Sequence, residues 1–320
     1  MRYNLKVGVV GTGFMGKTHL EALSSLVEEL VICSTDEKSA KALSEKYSCN
    51  FYTDYIEMLD KEKPDFISVC LPTKLHYAVS MAAMERGINV LCEKPFASSV
   101  EEASEMVRVA EEKGLTLMVA HCLRFTRAYE FLRRCVRDER YGKLVSFNAY
   151  RDSERPGWSV GNWLSDAALS GGVIKDLGIH NTDMVVSLFG IPGSVYTVGT
   201  PSVAHTVYGY DSDTVITSAV SWRDIKDLPY ENGYDAVFER AVLKNNAGEL
   251  TVYTDSKKGS IPEDEEFSED FSQDMYANEI NYYCKCLAGK KETEICPVSE
   301  SLAALRVNFM EFEKMNAGKK

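Results

Sequence analysis

Residues 5–23 read LKVGVVGTGFMGKTHLEAL. The stretch opens as a short, β-branched apolar run and closes with Leu20 and Leu23 at helical spacing. Between them Gly11, Gly13 and Gly16 form G-x-G-x-x-G. In a strand–turn–helix context each glycine has its own task. The first permits a tight turn, the second lets the backbone approach a pyrophosphate, and the third allows close helix–strand packing. The helix that follows offers unpaired N–H groups and a positive dipole end to phosphates. Gly11, Gly13, Phe14, Met15 and Gly16 are therefore candidates for binding a dinucleotide.

Outward from this loop the pattern repeats. Short apolar runs at 29–34, 65–71, 88–93 and 115–120 alternate with helical periodicity at 15–27, 37–47, 54–62, 76–86 and 100–113. Strand and helix in alternation predict an α/β domain, a doubly wound Rossmann-type parallel sheet over residues 1–121. Such sheets bind ligands at the carboxyl ends of their strands. From residue 122 the alternation stops. Candidate strands at 144–150, 194–200, 203–210, 214–222, 235–243 and 249–254 follow one another, which predicts a second, α+β domain over 122–320 with a mostly antiparallel sheet. Residues 146–163 and 227–235 read as loops, and 262–270 as a solvated acidic loop. Helices are expected at 164–170, 174–189, 272–288 and 299–315, the last announced by Pro297 and Ser299.

Composition narrows the function classes. The 320 residues are 45% hydrophobic and 26% charged, with a formal net charge of −12. That balance lacks the basic footprint of a nucleic-acid binder. No apolar run reaches membrane-spanning length, and MRYNLKVGVVGTG does not read as a signal peptide. The nine cysteines are odd in number and scattered, as in a reduced cytoplasmic chain. Cys284-Lys285-Cys286 lacks the two-residue spacer of zinc motifs, so no metal site is expected.

Two further motifs carry chemistry. The second apolar run ends at Ser34, where the dinucleotide fingerprint places an acidic residue on the adenosine ribose. Ser34 and Thr35 leave room for a 2′-phosphate, with Lys38 nearby, which leans the cofactor toward NADP over NAD. Asp36 reaches the ribose only if the strand ends later. INVLCEKPFA (88–97) ends its apolar run at Glu93 and Lys94. A residue before proline is held out of helical geometry, and an ammonium there can stabilise a developing alkoxide. Finally, in GGVIKDLGIHNTDMV (171–185) Asp176, His180 and Asp183 stand four and three residues apart, on one helix face. An imidazole titrates near working pH and suits a general acid or base. The plainer alternatives are a satisfied, partly buried histidine and a solvated charge stripe. Gly178 inside this helix implies a close approach, by a ligand or by another helix. Arg151, Arg155, Trp158, Asn162 and Trp163 are either planar and aromatic groups suited to a sugar or packing residues and surface charges.

These pieces in this order, G-x-G-x-x-G at 11–16, EKP at 93–95 and GG-x3-D-x-G-x-H-x2-D at 171–183, resemble the Gfo/Idh/MocA family, the glucose–fructose oxidoreductase and inositol dehydrogenase group. LPTKLHYAVSMAAMERGINVLCEKP (71–95) resembles the family's approach to its EKP signature. The resemblance implies a Rossmann domain followed by a C-terminal domain with a large open sheet that commonly makes oligomer contacts, hence a homodimer or homotetramer. It implies hydride transfer between NAD or NADP and a hydroxyl or carbonyl carbon of a sugar, cyclitol or related polyol. The family's catalytic lysine falls on Lys94, its paired Asp and His on Asp176 and His180, and Asp183 on its last acidic position. Leu71, Pro72, Thr73, His76, Glu93 and Lys94 fall where the family contacts the cofactor. Arg124, Trp163, Asp176 and His180 are the candidate substrate contacts. Departures are Ser34 in place of the usual Asp, one glycine fewer at 171–172, Lys175 where an apolar residue is commoner, and HCLRF (121–125) without the usual Asn. Two other functions fit the same frame: glycoside hydrolysis through transient oxidation, and a non-catalytic NAD(P)-binding sensor.

Overall fold

The computed structural model describes residues 2–317 except 158, 160–161, 257, 263–264 and 273. The chain divides into two compact units: Met1–Cys122 with Ser272–Leu302, and Leu123–Phe271 with Ala303–Lys320.

In the first unit β1 (Tyr3–Val10), β2 (Val27–Cys33), β3 (Asn50–Tyr52), β4 (Phe66–Val69), β5 (Asn89–Glu93) and β6 (Leu117–Ala120) lie in the order β3-β2-β1-β4-β5-β6. Every pair is parallel, the doubly wound order of a Rossmann sheet. All four residues of β4 and of β6 are buried, as strands covered on both faces should be. The connecting helices are α1 (Phe14–Leu26), α2 (Glu37–Tyr47), α3 (Tyr55–Glu62), α4 (His76–Glu85) and α5 (Val100–Lys113). Three begin with side-chain caps: Asp36 accepts from Ser39 N–H, Asp54 from Ile56 N–H and Ser99 from Glu102 N–H. The short β3 has no apolar periodicity to announce it.

One boundary differs from expectation. Helix α9 (Met275–Gly289) belongs to this first unit rather than to the second domain. Its Ile280, Tyr283 and Cys284 are buried. Tyr283 packs edge-on against Phe66, centroids 5.0 Å apart, and its Oη donates to the Thr116 carbonyl at 2.8 Å.

The second unit is built on eight strands: β7 (Leu144–Glu154), β8 (Ser194–Thr200), β9 (Val203–Gly209), β10 (Val215–Arg223), β11 (Glu231–Phe238), β12 (Ala241–Asn246), β13 (Glu249–Thr254) and β14 (Lys258–Gly259). They lie in the order β14-β13-β12-β11-β7-β10-β9-β8, antiparallel except for β7 with β10. α6 (Arg127–Arg137), α7 (Ala167–Ser170), α8 (Ile179–Phe189) and the later turns of α10 (Val298–Ala317) accompany the sheet. Phe131, Leu132, Met184, Val185, Ala304 and Val307 from these helices form one core with Phe147, Ala149, Ala236 and Leu243 of the sheet. On the opposite face Tyr196 is 67% exposed, Val198 50%, Val207 47% and Val215 56%. Among the described residues no helix is long and apolar enough to cross a membrane.

Three expectations are corrected here. β7 continues to Glu154, through the first half of the expected 146–163 loop, because Phe147, Ala149 and Arg151 alternate inward. The inward arginine broke the apolar alternation. The expected strand 235–243 is two strands, β11 and β12, turning at Glu239 and Arg240, and β11 claims residues 231–234 of the expected 227–235 loop. Helix α6 was hidden by four arginines, although Thr126 caps it and Ala128, Phe131, Leu132 and Cys135 line its buried side.

Candidate active site

The glycine loop has the shape that a dinucleotide requires. Gly11 has φ +110°, and a Cβ there would lie 2.2 Å from the Cys70 carbonyl oxygen. A Cβ on Gly16 would lie 2.0 Å from the Gly11 oxygen. At Gly13 nothing stands within 4 Å of the Cβ position, so the crest is open where a pyrophosphate would approach. No side chain among the described residues caps α1 at Gly13, and a helix N-terminus favours an anion. Phe14 is 60% exposed beside it and Met15 half-buried.

The ribose end falls at the end of β2, which stops at Cys33. Thr12 Oγ1 donates to Ser34 Oγ at 2.9 Å, and the Asp36 N–H donates to the same oxygen at 3.2 Å. Asp36 itself caps α2. Ser34 and the exposed Thr35 therefore occupy the place of the usual acidic residue.

At the ends of β4 and β5 the loops are braced from within. Leu71, Pro72 and Thr73 are half-buried. His76 is wholly buried: its Nδ1 lies 2.9 Å from the Pro95 carbonyl oxygen and its Nε2 2.8 Å from that of Leu71. Burial lowers its pKa despite these carbonyls, so a neutral ring donates to one of them. It shapes the two loops rather than presenting a side chain outward. The Lys94–Pro95 peptide is cis. Across residues 90–97 only Lys94 is not buried.

Glu93 points inward and sits 3.1 Å from His19 Nε2, while His19 Nδ1 lies 2.7 Å from Ser68 Oγ. Burial opposes charge on both partners, yet His19 stands well above its ordinary pKa, raised by Cys70 and Glu93, and Glu93 stands below its own through His19. Glu279 of α9 completes the group, with ligand atoms of His19, Glu93 and Glu279 all within 4.8 Å. Burial and the neighbouring Glu93 push Glu279 well up. The arrangement is a buried His19–Glu93 ion pair beside a neutral acid, tying α1 to the turn that carries Lys94. The sequence reading missed His19 and Glu279. Only the burial of His19 with Leu20 and Leu23 on one side of α1 could have signalled the first.

In the second unit the Asp–His stripe is set apart by burial. Every residue from 172 to 186 is buried except Asp176 and His180. The expected regular helix over 174–189 is corrected: Ile174–Gly178 form a π turn that passes into α8 at Ile179. Such turns are rare and recur at functional sites. Gly171 and Gly172 lead into it at φ +79° and +74°, and a Cβ on Gly172 would lie 2.6 Å from the Pro201 oxygen. At Gly178 a Cβ would meet Asn308 of α10 at an ordinary 3.7 Å, so the close neighbour there is a helix. Asn308 Nδ2 also donates to the Ile174 carbonyl at 2.9 Å.

Behind the π turn lies a polar cluster. Glu311 accepts from Thr182 and Asn308 at 2.9 and 3.0 Å, and from Tyr208. Burial raises it to about 7. Lys175 has its ammonium over the rings of Phe309 and Phe312, and burial lowers it to about 7.

Asp183, the third member of the stripe, is 1% exposed and held by Arg124 in a fork, Nη2–Oδ1 2.7 Å and Nε–Oδ2 2.9 Å. Arg124, expected near substrate, is itself 1% exposed. The two form an internal tie between α8 and the segment before α6. Trp163 packs at the edge of a small core of Leu164, Ile174, Leu177 and Trp222. Arg155 pairs with Asp224 at 2.6 Å. Trp158 lies outside the described residues.

Comparison with known proteins agrees with this geometry. Residues 5–121 match the model of the oxidoreductase family with an NAD-binding Rossmann fold, GFO_IDH_MocA, and residues 129–231 match the GFO/IDH/MocA C-terminal domain. The chain belongs to the Gfo/Idh/MocA oxidoreductase family. It is 32% identical over 194 residues to D-glucoside 3-dehydrogenase of Escherichia coli, 59% of this chain and 55% of that protein. The chain thus spans about half the length of such curated relatives. Two solved structures share the fold over nearly the whole chain. UDP-N-acetylglucosamine 3-dehydrogenase of Acidithiobacillus ferrooxidans has a TM-score of 0.82 at 21% identity, covering 99% of both chains. myo-Inositol 2-dehydrogenase of Lactobacillus plantarum has a TM-score of 0.83 at 20% identity, covering 98% of both. The expected fold class, a parallel Rossmann sheet plus a mostly antiparallel second sheet, is the one observed.

Proposed function

We propose that this protein is an NAD(P)-dependent dehydrogenase or reductase acting on a CH–OH carbon of a sugar, cyclitol or related polyol. The observation that carries the reading is selective exposure. Asp176 and His180 are the only residues not buried in a 15-residue stretch, and Lys94 is the only one across 90–97. The three groups suited to proton transfer are the three left accessible. Relatives in the same family carry the names of sugar and inositol dehydrogenases.

The bound nicotinamide supplies the hydride acceptor. Gly11, Gly13, Phe14, Met15 and Gly16 would hold its pyrophosphate, and Ser34 and Thr35 its adenosine ribose. With a hydroxyl where an acidic side chain would repel a 2′-phosphate, Ser34 favours NADP. A ring nitrogen of His180 takes the substrate hydroxyl proton on oxidation and returns it on reduction. Asp176, four residues earlier, orients the substrate or the imidazole. The Lys94 ammonium stabilises alkoxide charge. Glu93, His76 and the loop of Leu71, Pro72 and Thr73 fix the strand ends on which Lys94 and the cofactor rest.

The test is nicotinamide absorbance with NAD and NADP against a panel of sugars and cyclitols. Formation of reduced cofactor with a polyol is expected. Silence across the panel, with cofactor bound, would overturn net dehydrogenation and favour transient-oxidation glycoside cleavage or a sensor. The exposed outer face at Tyr196, Val198, Val207 and Val215 supports self-association as a homodimer or homotetramer, because an open apolar face of this kind is a liability in a monomer. Sedimentation is expected to show an oligomer, and a clean monomer would refute it. Nine scattered cysteines, an odd number, fit a reducing, cytoplasmic setting.

A further inference from the structure

We infer that Arg151 is the docking point for a negatively charged group on the substrate, so that the substrate class is an acidic polyol, a sugar or cyclitol bearing a carboxylate or phosphate. This rests on the dehydrogenase reading above and narrows its substrate.

Arg151 lies on the inward face of β7 and is only 5% exposed. Its Nε donates to Asn181 Oδ1 at 3.1 Å and its Nη1 to the Tyr230 hydroxyl at 2.6 Å. Both acceptors are neutral. Among the described residues Arg151 makes no ion pair, and its Nη2 makes no hydrogen bond to them. Three other arginines of the unit are paired. Arg124, as deeply buried, is gripped by Asp183. Arg155 and Arg223 pair with Asp224 and Asp152. Taking a cation out of water without a counter-charge is strongly unfavourable, and such charges are paired or bind ligands. A guanidinium is also the group best shaped to receive a carboxylate or phosphate by two parallel hydrogen bonds.

The placement connects this cation to the proposed chemistry. Asn181 directly follows His180 on α8. Its amide nitrogen donates to Ser218 Oγ at 3.0 Å and to the Ala219 carbonyl at 3.4 Å. Those bonds fix the amide so that Oδ1 faces Arg151. The guanidinium is thus held from the residue next to the proposed base. At its other end the partner of Nη1, Tyr230, is 49% exposed. A merely structural arginine here would give no preference for acidic over neutral polyols, whereas an anion anchor would.

The test is calorimetric titration of the wild-type protein with saturating NADP or NAD, using D-gluconate, D-glucuronate and D-glucose 6-phosphate against D-glucose and myo-inositol. At least one acid is expected to bind about tenfold or more tightly than the neutral parent, the scale of a charge-assisted bidentate contact. The carboxylate and phosphate arms identify which group is favoured. Arg151→Met should abolish the preference and Arg151→Lys retain part of it. Equal affinity for acids and neutral polyols in the wild type, or a preference that survives Arg151→Met, overturns the inference. Nicotinamide absorbance in the same samples separates the two readings. Neutral polyols oxidised with no acid preference would sink the anion site and leave the dehydrogenase. An acid held through Arg151 but never oxidised would sink the dehydrogenase and leave the anion site.

Discussion

Substituting His180→Asn should lower kcat by about two to four orders of magnitude, the range for loss of a positioned general acid or base, with cofactor affinity unchanged. Asparagine keeps the side-chain length and some hydrogen bonding but cannot take the proton. Cofactor affinity should persist because the substitution leaves Gly11, Gly13 and Gly16 untouched, and their turn is set by contacts within the first unit. The folded state should persist too, because His180 is only partly buried on a helix whose packing runs through Ile179, Met184 and Val185. The check is steady-state absorbance for turnover and nicotinamide fluorescence for binding, on the same preparation. Turnover within tenfold of wild type would place the proton acceptor elsewhere. Loss of turnover with loss of cofactor binding would mean the histidine serves the cofactor, not the proton.

The first unit was largely legible in the sequence because its local signals agree. Gly11, Gly13 and Gly16 sit in their strand–turn–helix setting, and β4 and β6 are uninterrupted apolar runs, so length and composition identify them. The second unit was read less well because its polar residues face inward. Arg151 on β7 and Arg124 beside Asp183 are charges inside the protein, and periodicity treats a charge as surface. The π turn at Ile174–Gly178 was invisible because a helix with one wider turn has nearly the same apolar pattern as one without it. What distinguishes Asp176 and His180 is that every neighbour from 172 to 186 is buried, a property of tertiary packing. Gly178 shows the same limit. Its helix-interior position suggested a close approach, and only the packed structure identifies Asn308 as the neighbour.

The other large effect concerns the Arg124–Asp183 pair. Asp183→Asn should destabilise the second unit by about 3–5 kcal/mol, as should Arg124→Met, because each leaves one ion buried without its partner. A loss of that size is a large share of the 5–15 kcal/mol typical of a folded domain. The double variant Arg124→Met with Asp183→Leu should recover most of it, since an apolar pair of similar volume in a dry site is often as stable as the ion pair. Denaturant unfolding of the four proteins, followed by a probe in the second unit, gives the double-mutant cycle. The chain has two units, so two transitions are expected and the shift should fall in one of them. The same cycle separates a tie from a substrate contact. If Arg124 only holds Asp183, the double variant should regain turnover along with stability. If Arg124 bound substrate, turnover would stay low in every variant lacking it, however stable the protein. A cost below about 1 kcal/mol for Asp183→Asn would put the pair in the range of exposed surface ion pairs, contrary to its burial, and would refute its role in holding α8.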